Sequence, residues 1–401
     1  MQADRPHPRG AGHRVRRQAA HREGRRRRVA GRGPPLRDHE HPDAGGLPRR
    51  RGQEAHDRGQ GQRPAGPGAG GIPVARRLEP LLGQGATGEA VRDLQSRLGA
   101  AGHECGPDRP GVYGSGTEAA VRSFQERRGL RVDGICGPQT WASVVEAGYR
   151  LGDRLLYHTS PPLRGDDVAD LQRRLGALGF DAGRVDGIFG EDTQRAVLEF
   201  QRNAGLTGDA VCGPATLAVL GRITARNDDP ISVAAVHEGE TLRHSPRTLR
   251  GRRVVVGHAG GLDALTDAVV RALAETGAQA IPLHHLDGSA QAQQANGVGA
   301  DVFVGLAAVE QGCSVAYYAA HGFESRGGRR LAECIQKELP SILGAAPTAP
   351  AGMALPVLRE TKMPAVLCEL GPPPALVAHG ADLACALTKA LDCWVQALDD
   401  I

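Results

Sequence analysis

Residues 88–147 recur, with substitutions, as residues 165–223, and this duplication limits the fold more than any other feature. "GEAVRDLQSRLGAAGH" (88–103) matches "GDDVADLQRRLGALGF" (165–180). "GSGTEAAVRSFQERRGLRVDGICGPQTWASV" (114–144) matches "GEDTQRAVLEFQRNAGLTGDAVCGPATLAVL" (190–220). A unit repeated at this period is one supersecondary block with its own apolar face, so the two copies share one fold. Val91, Leu94 and Leu98 return as Val168, Leu171 and Leu175, the i, i+3, i+7 spacing of a helix face. Phe124 returns as Phe200 and Leu130 as Leu206. Each copy therefore reads helix, Gly-rich turn, helix, turn, short helix, with Thr140 and Thr216 near the start of the last helix.

These motifs resemble the peptidoglycan-binding domain 1 family, a three-helix module with the signature V..LQ..L...G, DG.FG..T..AV..FQ and DG..G..T. The second copy keeps "VDGIFGEDTQRAVLEFQ", whereas the first has "PGVYGSGT" where an Asp-Gly pair belongs. The phenylalanines and leucines are expected in the core. The resemblance implies a peptidoglycan ligand, and the polar positions Gln125, Asp133, Gln201 and Asp209 are expected to be exposed and to face it. The connection 149–172 is short, so the copies are expected to pack as one tandem body.

The flanks differ sharply in charge. Residues 1–80 hold nineteen Arg, no Lys and eight acidic residues, about +11 in a chain whose net charge is +4. A basic arm suits nucleic acid or anionic lipid. This one, however, lacks apolar periodicity and is crowded with Gly, Pro and His, so it buries too little to offset chain entropy. It is expected to be an unstructured arm, or sequence read from a start upstream of the true one, with no nucleic-acid partner. No apolar stretch follows "REGRRRRVAG" to make an export signal, and no run approaches a membrane span. Eight cysteines without CxxC spacing fit a reducing compartment. The chain as written is expected in the cytoplasm, and a different start would allow the cell wall.

Beyond a polar stretch at 224–250, apolar runs alternate in β and α fashion. "RRVVVGHAG" (252–260), "AQAIPLHH" (278–285), "ADVFVGLA" (300–307), "SVAYYAA" (314–320) and "PAVLCELG" (364–371) read as strands. Between and after them, 262–277, 289–299, 325–339 and 381–398 read as helices. Continuous apolar strands alternating with helices imply a three-layer α/β domain around a mostly parallel or mixed sheet.

"VVVGHAGG", "ANGVGADVFVGLAAVE" and "LRETKMPAVLCELG" occur in the order of the motifs D.GHGG, AN..GADLF.S.HAN and L...KMPAVLVE.GF.SN. In this the chain resembles the N-acetylmuramoyl-L-alanine amidase 3 family, zinc hydrolases that cut the bond between muramic acid and the stem peptide. A catalytic zinc needs three protein ligands, an open water position and a carboxylate to move the proton. The resemblance places His258 at the first ligand and Glu369 at the catalytic carboxylate, with Leu306 in place of the second histidine. The helix-borne glutamate ligand has no clear successor: Glu275 lies at the far end of its helix, and Asp263 is shorter. Zinc binding is therefore expected to be weak or absent. His284, His285 and His321 have no spacing that suggests a substitute site. Three prolines after "CELG" replace the family's aromatic and Ser-Asn.

The expected organisation is an arm (1–80), two repeats (81–148 and 149–223), a linker (224–250) and an amidase-3-like domain (251–401), an all-α tandem followed by a three-layer α/β domain. The linker motif "YRLG.R.LYH...PL.GDDVA.LQ" matches an actinobacterial subgroup of the family. That match implies a catalytically degenerate, peptidoglycan- or precursor-binding regulator of cell-wall synthesis. Its implied partners are an enzyme of the enolpyruvyl-transferase step and a Ser/Thr kinase. The alternatives are a working zinc amidase and a wall-binding anchor.

Overall fold

The computed structural model of the chain describes residues 81–224, 233–320 and 323–398. Residues 1–80, on which the expectation of an unstructured arm rests, lie outside the described residues, as do 225–232 and His321.

The two copies fold alike. The first comprises α1 (Glu89–Ala100), α2 (Ser115–Arg127) and α3 (Pro138–Glu146), and the second α4 (Asp166–Ala177), α5 (Glu191–Asn203) and α6 (Pro214–Thr224). Val91, Leu94, Leu98, Val121 and Phe124 form one core, and Val168, Leu171, Leu175, Val197 and Phe200 the other. Short bridges recur in both, Leu82 with Cys136 and Leu156 with Cys212.

Gln125 and Gln201 are not exposed, which corrects the sequence reading. Each is 1% exposed and clamps a turn of its own repeat. Gln201 Nε2 donates to Asp209 Oδ1 (2.7 Å), Val211 O (3.0 Å) and Thr216 Oγ1 (3.1 Å), while its Oε1 accepts from Ala210 N at 2.9 Å. Gln125 does the same for Asp133, Ile135, Thr140 and Gly134. Asp133 and Asp209 remain at the surface, but each also caps the amide two residues on, at 2.8 and 2.9 Å. Gln172 holds the Asp186–Ile188 turn in the same way, and Gln95 the turn at Gly111. The first copy, which lacks the Asp-Gly pair, has Asp108 beside the start of α2, where it accepts from the amides of Gly114 and Thr117 at 2.9 and 2.6 Å. A side-chain amide with two donors and an acceptor satisfies a tight turn that no sheet or helix partner reaches.

The C-terminal part is a seven-stranded sheet made of β1 (Arg253–His258), β2 (Gln279–His284), β3 (Val302–Ala308), β4 (Gly312–Ala320), β5 (Phe323–Glu324), β6 (Ala351–Met353) and β7 (Ala365–Gly371). The order is β2-β1-β3-β7-β4-β5, with β6 on β4; β2, β1, β3 and β7 run parallel, and β4 is antiparallel to β7. One face carries α8 (Asp263–Glu275), α10 (Arg326–Ile342) and α13 (Gly380–Gln396) over a core of Val254, Val256, Val304, Leu306, Cys368 and Trp394. The other face carries α9 (Gly288–Gly297) and α11 (Pro356–Arg359) over Val255, Phe303, Tyr318 and Ala365.

Two features were not visible in the sequence. The segment read as a linker contains α7 (Val233–Arg243), whose Leu242 enters the core beside α10. The proline run builds α12 (Pro373–Ala378), because proline suits the first helical turn. The second repeat also reaches the second core, where Val185 packs with Ala169 and its carbonyl accepts from Tyr318 Oη at 3.0 Å.

Among the four clamped turns, Gly111, Gly134 and Gly187 hold φ of 81°, 72° and 69°, while the fourth places Ala210 at φ 58°. A Cβ there costs about 1 kcal/mol. Ala210→Gly is expected to stabilise the chain by about that amount in urea unfolding, and Gly187→Ala to destabilise it. Phe200→Ala is expected to cost about 3–5 kcal/mol.

Candidate functional site

The residues singled out for chemistry sit at the C-terminal ends of β1, β3 and β7. Side chains alternate along a strand, so the register decides which of them meet. β1 pairs His258 with Leu306, and β3 pairs Ala307 with Glu369. Leu306 is 1% exposed and lies in the core beneath α8, α10 and α13, with Val304 and Cys368. Glu369 follows Cys368, so it points to the opposite face, the one covered by α11 and the repeats.

The expectation that Leu306 stands beside Glu369 in place of a histidine is thus corrected by one residue. Laid letter by letter on "ADVFVGLAA", the motif ADLF.S.HAN also puts its histidine at Ala307. Ala307 carries no donor atom, so the second ligand is missing at the corrected position too.

His258 is buried on the α8 face. Its Nδ1 accepts from Gly260 N at 3.2 Å, its Nε2 lies 3.6 Å from Asp263 Oδ1, and its ring stacks on His284 at 4.7 Å between centroids. Burial lowers its pKa below the usual histidine value, against the pull of Asp263. Glu369 is two strand spacings away, about 10 Å, on the other face. It is held by two partners: Arg131, from the loop after α2, pairs with Oε1, and Ser314 Oγ donates to Oε2 at 3.1 Å. The same loop is tied to the sheet edge, where Ala354 N donates to Gly129 O at 2.8 Å.

The donor set does not fit a catalytic zinc. Among the described residues no three His, Cys, Asp or Glu side chains converge, and the two that match the family motifs face opposite sides of the sheet. Glu275 closes α8 at its C-terminal end, while Asp263, at the start of that helix, lies 3.6 Å from the imidazole and Asp267 also acts on it.

A second feature lies where three bodies meet. α11 sends Arg359 to Glu146 Oε2 of α3 (2.8 Å) and to the carbonyl of Asp186 in the second repeat (2.5 Å). Arg164 pairs with Glu360 through two bonds of 2.7 and 3.0 Å, and Arg128 joins the repeats through Asp166 with two bonds of 2.7 Å. These pairs frame a cavity of about 890 Å³. Ser143, Gln139, Leu286, Arg127 and Arg173 are among the residues that line it. Such a volume is that of a small-molecule or short-peptide site. The sequence signal for it was weak: the charged partners lie as much as 213 positions apart in the chain.

Residues 87–144 and 164–220 match the peptidoglycan binding domain family. The chain is 36% identical over 292 residues to the N-acetylmuramoyl-L-alanine amidase CwlM of Mycobacterium tuberculosis, a match covering 65% of this chain and 72% of that protein. It is 35% identical over 163 residues to the N-acetylmuramoyl-L-alanine amidase CwlL of Bacillus licheniformis, covering 35% of this chain and 45% of that one. Among solved structures, the N-acetylmuramyl-L-alanine amidase Ami1 of Mycobacterium smegmatis aligns over 37% of this chain and 99% of its own, at 15% identity and a TM-score of 0.33.

His258 gives a pH test. With its folded pKa lowered, the unfolded chain takes up the proton first as pH falls. Its contribution is complete above about pH 6.5 and is lost as pH drops through the folded value. His258→Asn is expected to flatten the decline in melting temperature as pH falls below about 6.5. An unchanged slope would show that the ring titrates as freely folded as unfolded.

Proposed function

The chain belongs to the N-acetylmuramoyl-L-alanine amidase family and carries two peptidoglycan-binding repeats, and on that premise we propose that it is a non-catalytic member that binds peptidoglycan or its precursors and regulates cell-wall synthesis. The observation that carries this reading is the state of Glu369. The family's proton-moving carboxylate is here bound by Arg131 from the first repeat and by Ser314. Beside it, Ala307 stands where a metal ligand belongs. Both oxygens of this carboxylate are engaged by partners within the chain, and an amide carbonyl with no Lewis acid near it stays unpolarised.

What remains is recognition. The cavity between the repeats and α11 is lined by Arg127, Arg173 and Leu286 among others, a mixture suited to the carboxylates and methyl groups of a stem peptide. No helix among the described residues is long and apolar enough to cross a membrane. The subgroup resemblance adds cytoplasmic placement, an early precursor-synthesising enzyme as partner and a Ser/Thr kinase as controller.

The test combines three readouts on the full chain: zinc content after loading and gel filtration, cleavage of defined muropeptides, and their binding by calorimetry. The expected result is substoichiometric zinc and intact muropeptides that bind, with binding weakened at least tenfold by Arg127→Ala combined with Arg173→Ala. Ala307→His alone is expected to leave cleavage absent. One tightly held zinc per chain with chelator-sensitive release of the stem peptide would make the protein a working amidase instead.

A further inference from the structure

Away from the strand ends, two reactive side chains meet between α10 and α13. Cys334 of α10 and Cys393 of α13 have their Sγ atoms 3.6 Å apart, and both are free thiols. Cys334 is buried, whereas Cys393 is exposed. The two helices run antiparallel, and their register is fixed on both sides of the pair. Trp394 Nε1 donates to Gly327 O at 3.0 Å, and Lys389 Nζ to Glu338 Oε2 at 2.8 Å. An S–S bond of about 2.05 Å therefore needs an approach of about 1.5 Å, which side-chain rotation and a slight helix shift supply.

Cationic side chains surround the pair. Arg330 and Lys337 act on Cys334, and Lys389 feels the charge of both Cys385 and Cys393. Burial and the neighbouring thiol push Cys334 up to about 11, so the exposed partner is the one that an incoming reagent meets first.

The geometry points to Cys334 and Cys393 as a reversible disulfide site, formed by exchange with a low-molecular-weight disulfide and locking α13 onto the helical layer of the sheet. In the first step the Cys393 thiolate attacks one sulfur of the small disulfide. That S–S bond breaks, and the departing thiolate takes up the proton that Cys393 gave up. Cys334 then loses its proton and attacks Cys393 Sγ in the mixed disulfide, expelling the second small thiol, which takes up that proton. Two protein thiols are oxidised, one small disulfide is reduced to two thiols, and both protons are accounted for. The bond would close a long loop, from α10 through β6, β7 and α12 to the C-terminal helix. Closing a loop of this length removes chain entropy from the unfolded state, so the oxidised domain should melt higher.

The full chain, reduced and desalted, is incubated with excess oxidised glutathione, unfolded, alkylated and mapped by mass spectrometry. The expected result is that Cys334 and Cys393 escape alkylation and appear as one cross-linked peptide pair, released by dithiothreitol. The oxidised chain is expected to melt higher than the reduced one, and the shift to vanish in Cys334→Ser, where Cys393 retains a glutathione. Three results would overturn the proposal. They are a lone glutathione on Cys393 with Cys334 still alkylated in the unsubstituted chain, a bond from Cys334 to Cys385 instead, or an oxidised chain that melts no higher.

Discussion

The guanidinium of Arg359 is the point on which the described molecule turns. It leaves a four-residue helix beneath the sheet and reaches a glutamate of the first repeat and a turn carbonyl of the second. Burial works against its charge, and the nearby Glu146, Tyr318 and Asp186 more than offset that. A buried charge is tolerable only when its hydrogen bonds are met, and here the partners come from two separate repeats. Removing either end would strand the other, so the repeats and the sheet gain a reason to fold together.

That docking places Arg131. With the first repeat seated on the edge of β4 and β6, the loop after α2 lies over the end of β7 and its arginine meets Glu369. Tandem binding modules attached by a free linker would leave the carboxylate open. The observed packing covers it and at the same time walls a cavity that neither part forms alone. The same docking thus ties the strand-end carboxylate to the first repeat.

The sequence made the elements legible because their periods are strong. The repeated V..L...L faces became α1 and α4, and the valine-rich runs became β1, β3 and β7 within a residue or two. The side of the sheet on which a residue lies was harder to read, because a one-residue slip inverts it. The register of β3 on β7 sets Ala307, not Leu306, beside Glu369, in agreement with the letter-by-letter motif. The glutamines were misread for a related reason. "FQ" precedes an aspartate by eight positions in both copies, a signal for a clamp, but a polar residue on a helix reads by default as solvent-facing. The interdomain pairs left no local trace at all, since Arg131 and Glu369 are separated by 238 positions. The α7 helix was hidden by a polar composition with little apolar periodicity.

The chain has two tryptophans, and they fall on either side of the Arg359 junction: Trp141 in α3 and Trp394 in α13. Single-tryptophan variants, Trp141→Phe and Trp394→Phe, therefore report the sheet and the repeats separately in urea unfolding. If the repeats and the sheet are one cooperative body held through Arg359, the two fluorescence transitions coincide, and adding Arg359→Ala splits them. Two separate transitions in the chain with Arg359 intact, with the repeat signal unmoved by Arg359→Ala, would contradict the account.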